Sequence, residues 1–154
     1  MKKDDIKLVN TVPEQLAILE GWEQQAGVGE FILANSKEQH LVSMQEPTIQ
    51  YLSVLQNERL VGFIILALEP NNTIEFRRIV IGHRGAGIGQ LAIRAMEQYC
   101  LEHFACQRIW LDVFDFNERG QHIYSKLGYQ EFKRCQHGVH QLLFFEKYFQ
   151  FALA

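Results

Sequence analysis

One stretch, residues 79–89, constrains what this chain can fold into more than any other. It reads Ile-Val-Ile-Gly-His-Arg-Gly-Ala-Gly-Ile-Gly, an apolar run that ends in a basic residue and three closely spaced glycines. The apolar run predicts a buried strand, and the glycines predict a turn into a helix. Glycines let a backbone approach a ligand closely, and the free N–H groups at a helix start favour a phosphate. The stretch therefore predicts an anion-binding loop, although its spacing alone also fits a simple tight turn.

Two common phosphate-binding loops do not fit this stretch. A P-loop requires Lys and Ser or Thr after its last glycine, and Gln90 follows Gly89 here. A dinucleotide-binding fingerprint has the form G-x-G-x-x-G, and Gly89 comes one residue too early for its third glycine. The sequence therefore excludes these two nucleotide-binding classes.

The composition is that of an ordinary soluble globular protein. A length of 154 residues predicts one domain, 1–154, with a core of its own. The longest apolar runs are strand-length and interrupted, so no membrane span is predicted. A net charge of −3 gives no basic face for nucleic acid. The first residues lack the apolar segment of a secretory signal, so a cytoplasmic location is expected.

The cysteines and histidines predict neither disulfides nor a metal site. Cys100, Cys106 and Cys135 are odd in number and form no CxxC pair, which indicates free thiols in a reducing compartment. The pattern Cys135-x-His137-x-x-His140 supplies three donors across a turn and no fourth at metal-ligand spacing. We therefore expect no metal.

Hydrophobic periodicity predicts the element order β-α-α-β-β-β-α-β-α-β-β. Strands are predicted over residues 6–9, 49–55, 60–68, 73–81, 108–114, 129–135 and 139–149, and helices over residues 13–25, 35–44, 88–104 and 118–127. The helix over 88–104 would connect two parallel strands. The fold class is α/β (α+β), with a mixed, mostly antiparallel central sheet of about six or seven strands flanked by about four helices.

Two motifs together resemble the GNAT superfamily, the acetyl-CoA-dependent N-acetyltransferases, in a single-domain, bacterial-type form. The first is similar to the family's Arg/Gln-x-x-Gly-x-Gly/Ala loop and consists of Arg84, Gly85, Ala86, Gly87, Ile88 and Gly89. The second resembles the family's Asn…Tyr-x-x-x-Gly-Phe/Tyr motif and includes Asn117, Tyr124, Gly128 and Tyr129. The element order resembles the GNAT fold over nearly the whole chain. The resemblance implies a sheet split between its two central strands, where the cofactor inserts.

The resemblance implies acetyl-CoA as co-substrate. The pyrophosphate would bind the backbone N–H groups of residues 84–89, and Ile79, Val80 and Ile81 would pair with the pantetheine amides. The loop from the strand to Arg84 is shorter than the family's usual loop. Asn117 would contact the pantetheine arm, and it is also a plausible helix N-cap. The two roles are compatible.

The resemblance assigns Tyr124 as the residue that donates a proton to the leaving thiolate. The alternative is a tyrosine at the core edge of an amphipathic helix. Glu75 is the candidate base that takes a proton from the acceptor, because strand alternation would place it with Arg77 and Ile79 near the cleft. Its alternative is a solvated strand glutamate. The cysteines lie outside the cleft motifs, so the amine is expected to attack directly in a ternary complex.

In this superfamily the acceptor side is built by segments that correspond here to residues 13–44 and 132–149. These segments contain acids and aromatics, namely Glu14, Glu20, Glu23, Glu30, Glu38, Trp22, Phe31, Phe144 and Tyr148. Such a mixture suits a primary amine with an apolar body, a small molecule ahead of a peptide N-terminus. A homodimer is compatible with the resemblance. The rival functions are an acyl-CoA-binding sensor and an interaction module of the same fold, both without turnover.

Overall fold

The computed structural model describes residues 5–25, 35–82 and 87–150. Within these residues the elements are β1 (Ile6–Asn10), a 3₁₀ turn (Pro13–Gln15), α1 (Leu16–Glu23), α2 (Lys37–Met44), β2 (Ile49–Gln56), β3 (Arg59–Glu69), β4 (Thr73–Ile81), α3 (Ile88–Phe104), β5 (Arg108–Phe114), α4 (Glu118–Lys126), β6 (Gln130–His137) and β7 (His140–Tyr148). The predicted order is confirmed, and the bounds of β4, α3 and β5 are those predicted. No helix of the described ranges is long and apolar enough to span a membrane.

The strands form one mixed sheet with the order β1-β2-β3-β4-β5-β7-β6. Every neighbouring pair is antiparallel except β4 and β5, which α3 connects as parallel strands. These two strands pair only over residues 73–75 and 108–110. The rest of β4 pairs with β3 alone, so the central strands separate beyond Glu75. The predicted split of the sheet is confirmed, and we call this opening the cleft.

A β-bulge changes which face each residue of β4 occupies. Opposite the 65–66 step of β3, Arg77 has no partner, while Phe76 and Arg78 are paired. A bulge inserts one residue and shifts the side-chain alternation that follows it. Ile79 therefore packs against the same core as Phe76. The prediction that Glu75 shares a face with Ile79 is wrong, because alternation holds only up to the bulge.

The larger core lies between the sheet and α3. Ala92, Met96 and Cys100 recur every four residues along one side of α3 and have 0% exposure. They pack with strand residues and with Leu127 and Tyr129, which follow α4. Each large apolar side chain buried in this way stabilises the fold by about 1.5–3 kcal/mol. This packing fixes the first turn of α3 beside the cleft.

A smaller core lies on the opposite face of the sheet, beneath α1. Leu16 and Leu19 of α1 pack against Phe63 and Val80. The helix predicted over residues 13–25 is thus a 3₁₀ turn followed by α1. α2 begins after Ser36, whose hydroxyl accepts a hydrogen bond from the Gln39 N–H in a capping box.

A buried polar network ties α1 and α2 to β4. The Glu23 carboxylate contacts His40 Nε2 at 2.6 Å and Arg78 Nη1 at 2.6 Å, and His40 Nδ1 lies 2.7 Å from the Tyr51 hydroxyl. Burial alone would raise the pKa of Glu23, but the hydrogen bonds from His40 and Arg78 outweigh it and lower that pKa. The sequence places Glu23 among the acids of the acceptor side. In the structure its carboxylate is buried and bonded to His40 and Arg78, so it is not available to an acceptor.

The outer strand β6 is exposed along its whole length. Phe132 is bulged out of register between Glu131 and Lys133. Glu131 forms an ion pair with Arg134, which is also exposed. The strand therefore presents charges and an irregular backbone at the edge of the sheet.

Candidate active site

The cleft opens into a cavity of about 540 Å³. Its walls are residues 76–81 of β4, residues 87–90 at the start of α3, residues 111–114 of β5, then Asn117, Arg119, Gly120, Ile123 and Tyr124, with His137 and Leu142 from the C-terminal hairpin. A concave volume of this size, with mixed apolar and polar walls, is typical of a small-molecule site.

Most of the predicted site residues meet in this cavity. Those that line it are Ile79, Val80, Ile81, Gly87, Ile88, Gly89, Asn117 and Tyr124. Arg84, Gly85 and Ala86 lie outside the described residues. Glu75 precedes the lining part of β4 by one residue and does not line the cavity itself.

The first turn of α3 has the features of an anion-binding helix N-terminus. Gly87 is its N-cap and has φ +70°, the left-handed region that favours glycine. A side chain at Gly89 would point into open space. The first turn of α3 carries no acidic residue, so its free N–H groups and its positive dipole end are not neutralised locally. This end of the cavity can therefore hold phosphate oxygens.

The open edge of β4 is the second element of the site. On its other edge, β4 pairs with β3 along its length except at the Arg77 bulge, and the Gly82 N–H continues that pairing by donating to the Val61 carbonyl at 2.8 Å. Towards β5, residues 76–81 have no strand partner. Unpaired backbone groups at a strand edge can bind the amides of an extended ligand such as pantetheine.

Asn117 is the N-cap of α4. Its Oδ1 accepts a hydrogen bond from the Gly120 N–H at 2.9 Å. A Cβ added at Gly120 would lie 2.7 Å from Nδ2 of Asn117, so only glycine leaves room for this cap. The cap interpretation is confirmed. The amide side chain also faces the cavity, where its Nδ2 can donate to a ligand carbonyl.

Tyr124 of α4 lines the cavity. Its ring makes edge-to-face contacts with Phe76, at a centroid distance of 6.1 Å, and with Tyr129, at 6.0 Å. Desolvation, followed by the negative charge of Asp112, raises the pKa of Tyr124 to about 12. The hydroxyl therefore keeps its proton at neutral pH and can give it to a stronger base formed beside it.

A hydrogen-bonded group of side chains holds Tyr129, which contacts the Tyr124 ring. The Tyr129 hydroxyl donates to Glu97 at 2.8 Å. Lys147 Nζ contacts both oxygens of Glu97 at 3.2 Å and donates to the Leu127 carbonyl at 2.8 Å. Because Glu97 lies on α3, this network fixes the end of α4 against the main helix and holds Tyr129 against Tyr124.

The carboxylates near the cleft are Glu75 and Asp112. Glu75 is mostly buried and forms an ion pair with Arg77 at 2.9 Å. Asp112 lines the cavity and has no hydrogen-bond or ion-pair partner among the described residues. Its side chain is open to the cleft, yet the surrounding protein desolvates the carboxylate. This desolvation and the charge of Glu75 raise the pKa of Asp112, and His137 and Arg77 oppose the shift.

Asp112 is the functional candidate that the sequence reasoning missed. The signal was present, because β5 alternates between the buried Leu111 and Val113 and the outward-facing Trp110, Asp112 and Phe114. An acid in the middle of a central strand beside the predicted split is a candidate for chemistry at that split.

The cysteines and the histidine pattern lie outside this arrangement. Cys100 and Cys106 are buried thiols, and burial raises the pKa of Cys106 to about 11, so neither is a reactive nucleophile. Cys135 is a free thiol on the exposed strand β6 and does not line the cavity. Within residues 5–25, 35–82 and 87–150 no three acidic, histidine or cysteine side chains form a metal-binding group, and His140 contacts Asp115 instead.

Comparison with a known sequence extends over part of the chain. The chain is 31% identical over 80 residues to the spermine/spermidine N(1)-acetyltransferase of Bacillus subtilis (strain 168), a match that covers 46% of this chain and 53% of that protein. The chain therefore spans about half the length of this curated relative.

Comparison with solved structures shows the same fold. An aminoglycoside acetyltransferase, AAC(6')-Ib in complex with coenzyme A, superposes with a TM-score of 0.80 at 16% identity, covering 94% of this chain and 95% of that chain. The spermidine N-acetyltransferase of Vibrio cholerae in complex with CoA and spermine gives a TM-score of 0.80 at 16% identity, covering 93% and 95%. The profile of the Acetyltransferase (GNAT) family matches residues 17–129, which include the split strands, the start of α3 and Tyr124, and the chain therefore belongs to the GNAT acetyltransferase family.

Proposed function

We propose that this protein transfers an acetyl group from acetyl-CoA to a primary amine. The observation that carries the proposal is the cavity between β4 and β5, which joins a helix start, an unpaired strand edge and a protonated tyrosine. These three features suit, in order, the pyrophosphate, the pantetheine amides and the thioester sulfur of one extended cofactor. The membership of the chain in the GNAT family supports the same assignment.

The residues at the cleft suggest a role for each part. The pyrophosphate binds at Gly87–Gly89 and at the preceding residues Arg84, Gly85 and Ala86. The pantetheine extends along residues 79–81 and reaches Asn117. Tyr124 then lies beside the thioester, where a half-buried tyrosine with a raised pKa keeps its proton until the thiolate forms.

The reaction proceeds by direct attack in a ternary complex. The amine nitrogen attacks the thioester carbonyl carbon, the carbon–sulfur bond breaks, and the sulfur takes the proton of the Tyr124 hydroxyl. The nitrogen of the new amide then gives up its second proton, directly or through water, and this proton restores the Tyr124 hydroxyl. The ammonium form of the acceptor first loses a proton to a carboxylate at the cleft, directly or through water. Both Glu75 and Asp112 can take this proton, and Asp112 has the stronger case because it lines the cavity and its pKa is raised.

A binding and turnover experiment tests the proposal. Calorimetry should show acetyl-CoA binding, and thiol release should follow when an amine mixture is added. Gly87→Glu should abolish binding because it puts a negative charge at the start of α3. Gly138→Glu is the matched control, since Gly138 also has a left-handed φ, of +63°, but lies in the C-terminal hairpin turn. Unchanged binding by Gly87→Glu would refute the cofactor site.

The same experiment separates the rival functions. Binding without release of CoA from any amine would indicate an acyl-CoA sensor. Absence of binding would indicate an interaction module that kept the fold. Thiol release confined to alcohols or thiols as acceptors would refute the amine assignment.

Three further properties complete the proposal. The acceptor is a small-molecule amine ahead of a peptide N-terminus, because the acceptors named for the similar acetyltransferases, spermine, spermidine and aminoglycosides, are small-molecule amines. The location is cytoplasmic, which suits the free thiols of Cys100 and Cys106. A homodimer is tested by light scattering, and the location by cell fractionation.

A further inference from the structure

The face of the sheet opposite α3 carries aromatic side chains across β5 and β7. The Trp110 and Phe144 rings lie 5.9 Å apart at an interplanar angle of 30°. Phe114 follows on the same face of β5 and also lines the cavity. All three side chains are half-buried. We call Trp110, Phe114 and Phe144 the aromatic shelf.

Asp112 lies beside this shelf. It stands between Trp110 and Phe114 on the outward face of β5, and Phe144 is its direct partner on β7. Directly opposed residues of an antiparallel pair have Cβ atoms about 5 Å apart, so the carboxylate and the Phe144 ring border one space. That space opens on the cavity, which Asp112 and Phe114 both line.

Three other carboxylates on this face already have partners. Glu75 pairs with Arg77 at 2.9 Å, Glu146 pairs with Arg108 at 2.8 Å, and Glu69 accepts a hydrogen bond from the Trp110 indole at 2.8 Å. Among the described residues that line the cavity, Asp112 is the only acid. The cavity can therefore neutralise one ammonium group with a carboxylate.

Positive charge borders the shelf on its far side. Lys133 Nζ lies 4.4 Å from the centroid of the Phe144 ring. On the near side the cavity wall includes Arg119, together with Arg77 and Arg78, which pair with Glu75 and Glu23. A second or third ammonium on the acceptor would lie near Lys133 or Arg119, and like charges at close range oppose binding.

From this arrangement we infer that the acceptor is a primary monoamine on a flat aromatic body, with its ammonium at Asp112 and its ring on the aromatic shelf. The inference rests on the proposed acetyl transfer and names the class of acceptor. Aromatic rings that pack on aromatic side chains gain more than their buried area alone provides. A polyamine does not gain this contact, and among the described lining residues the cavity offers its further ammonium groups no second carboxylate.

Steady-state thiol release with three amines tests the inference on the unmodified protein. Phenethylamine carries one charge and an aromatic ring, cyclohexylethylamine has the same charge and a similar size without aromaticity, and spermidine carries several charges. We expect phenethylamine to give the highest kcat/KM, at least about tenfold above spermidine, a ratio that corresponds to about 1.4 kcal/mol. Cyclohexylethylamine should lie between them.

A pair of variants tests the shelf itself. Phe144→Leu keeps an apolar side chain and should raise the KM for phenethylamine about three- to tenfold, while the Kd for acetyl-CoA stays unchanged. Phe104→Leu is the matched control, because Phe104 is a half-buried ring at the end of α3 that does not line the cavity, and the same substitution there should leave this KM within about twofold.

The outcomes separate the two proposals. Turnover with spermidine preferred, or an unchanged phenethylamine KM in Phe144→Leu, would overturn the monoamine inference and leave acetyl transfer intact. Failure to bind acetyl-CoA, or binding without turnover of any amine, would overturn acetyl transfer itself. The comparison of amines uses the unmodified protein, so it still tests the inference if Phe144→Leu misfolds.

Discussion

Replacing Tyr124 by phenylalanine removes one hydroxyl and leaves the ring that packs on Phe76 and Tyr129. The hydroxyl has no hydrogen-bond partner among the described residues, so its loss leaves no group unpaired. The free energy of unfolding should therefore change by less than about 1 kcal/mol. The change isolates the chemical step.

The loss in rate follows from the proton that the leaving sulfur takes. The pKa of Tyr124 is raised to about 12, so the wild-type hydroxyl is protonated throughout the working pH range. A positioned general acid contributes about 10²- to 10⁴-fold, which corresponds to roughly 3–5 kcal/mol of transition-state stabilisation. We expect kcat for Tyr124→Phe to fall at least about 100-fold, with the KM for acetyl-CoA within about threefold.

The assay is thiol release at saturating acetyl-CoA, with the melting temperature measured on the same samples. Tyr99→Phe is the matched control, because Tyr99 lies on α3 outside the cavity and its pKa is also raised by burial. A kcat within about threefold of wild type, at an unchanged melting temperature, would refute the role of Tyr124 as proton donor.

Three further substitutions test other parts of the structure. Gly120→Ala would displace the capping side chain of Asn117. It should lower the free energy of unfolding by about 1 kcal/mol, measured by thermal melting, and raise the KM for acetyl-CoA, measured by steady-state kinetics. An unchanged KM would mean that Asn117 acts only as a helix cap. Since the pKa of Asp112 is raised, the folded state disfavours its charge, so the wild type loses stability as pH rises through that pKa. Asp112→Asn should therefore raise the melting temperature at pH 7 but not below pH ~3.8, and it should lower kcat; a lower melting temperature at pH 7 would contradict the shift. Gly82→Ala should destabilise the fold strongly, because its Cβ would lie 2.3 Å from the Trp22 ring, whereas Gly21→Ala, with open space around its Cβ, should stabilise α1 by up to about 1 kcal/mol; equal melting temperatures for the two variants would refute this packing.

The sequence predicted the elements that carry local signals. β4, α3 and β5 have the predicted bounds because each combines a clear period with glycine or polar residues at its ends. The Asn117 cap followed from its position before α4. These features depend on residues close together in the chain, which a single sequence contains.

Other features depend on partners far along the chain and were not predicted. The bulge at Arg77 arises from the register between β3 and β4, and it changes which face Ile79 occupies. Glu23 looks like a solvated helix acid until His40 and Arg78 are brought to it by the fold. Asp112 could be read from the alternation of β5 beside the predicted split, but the desolvation and the Glu75 charge that raise its pKa arise only in the fold.

The outer strand β6 has a consequence for how this protein can associate. An exposed strand edge is a template on which another chain can extend the sheet, and sheets grown in this way lead to aggregation. Here the bulge at Phe132 interrupts the regular row of backbone groups, and Lys133 places a charge where a neighbouring strand would have to pack. Association through edge-to-edge strand pairing is therefore opposed at this edge of the sheet, and a homodimer that used this end of the molecule would have to be held by side chains rather than by a continued row of backbone hydrogen bonds.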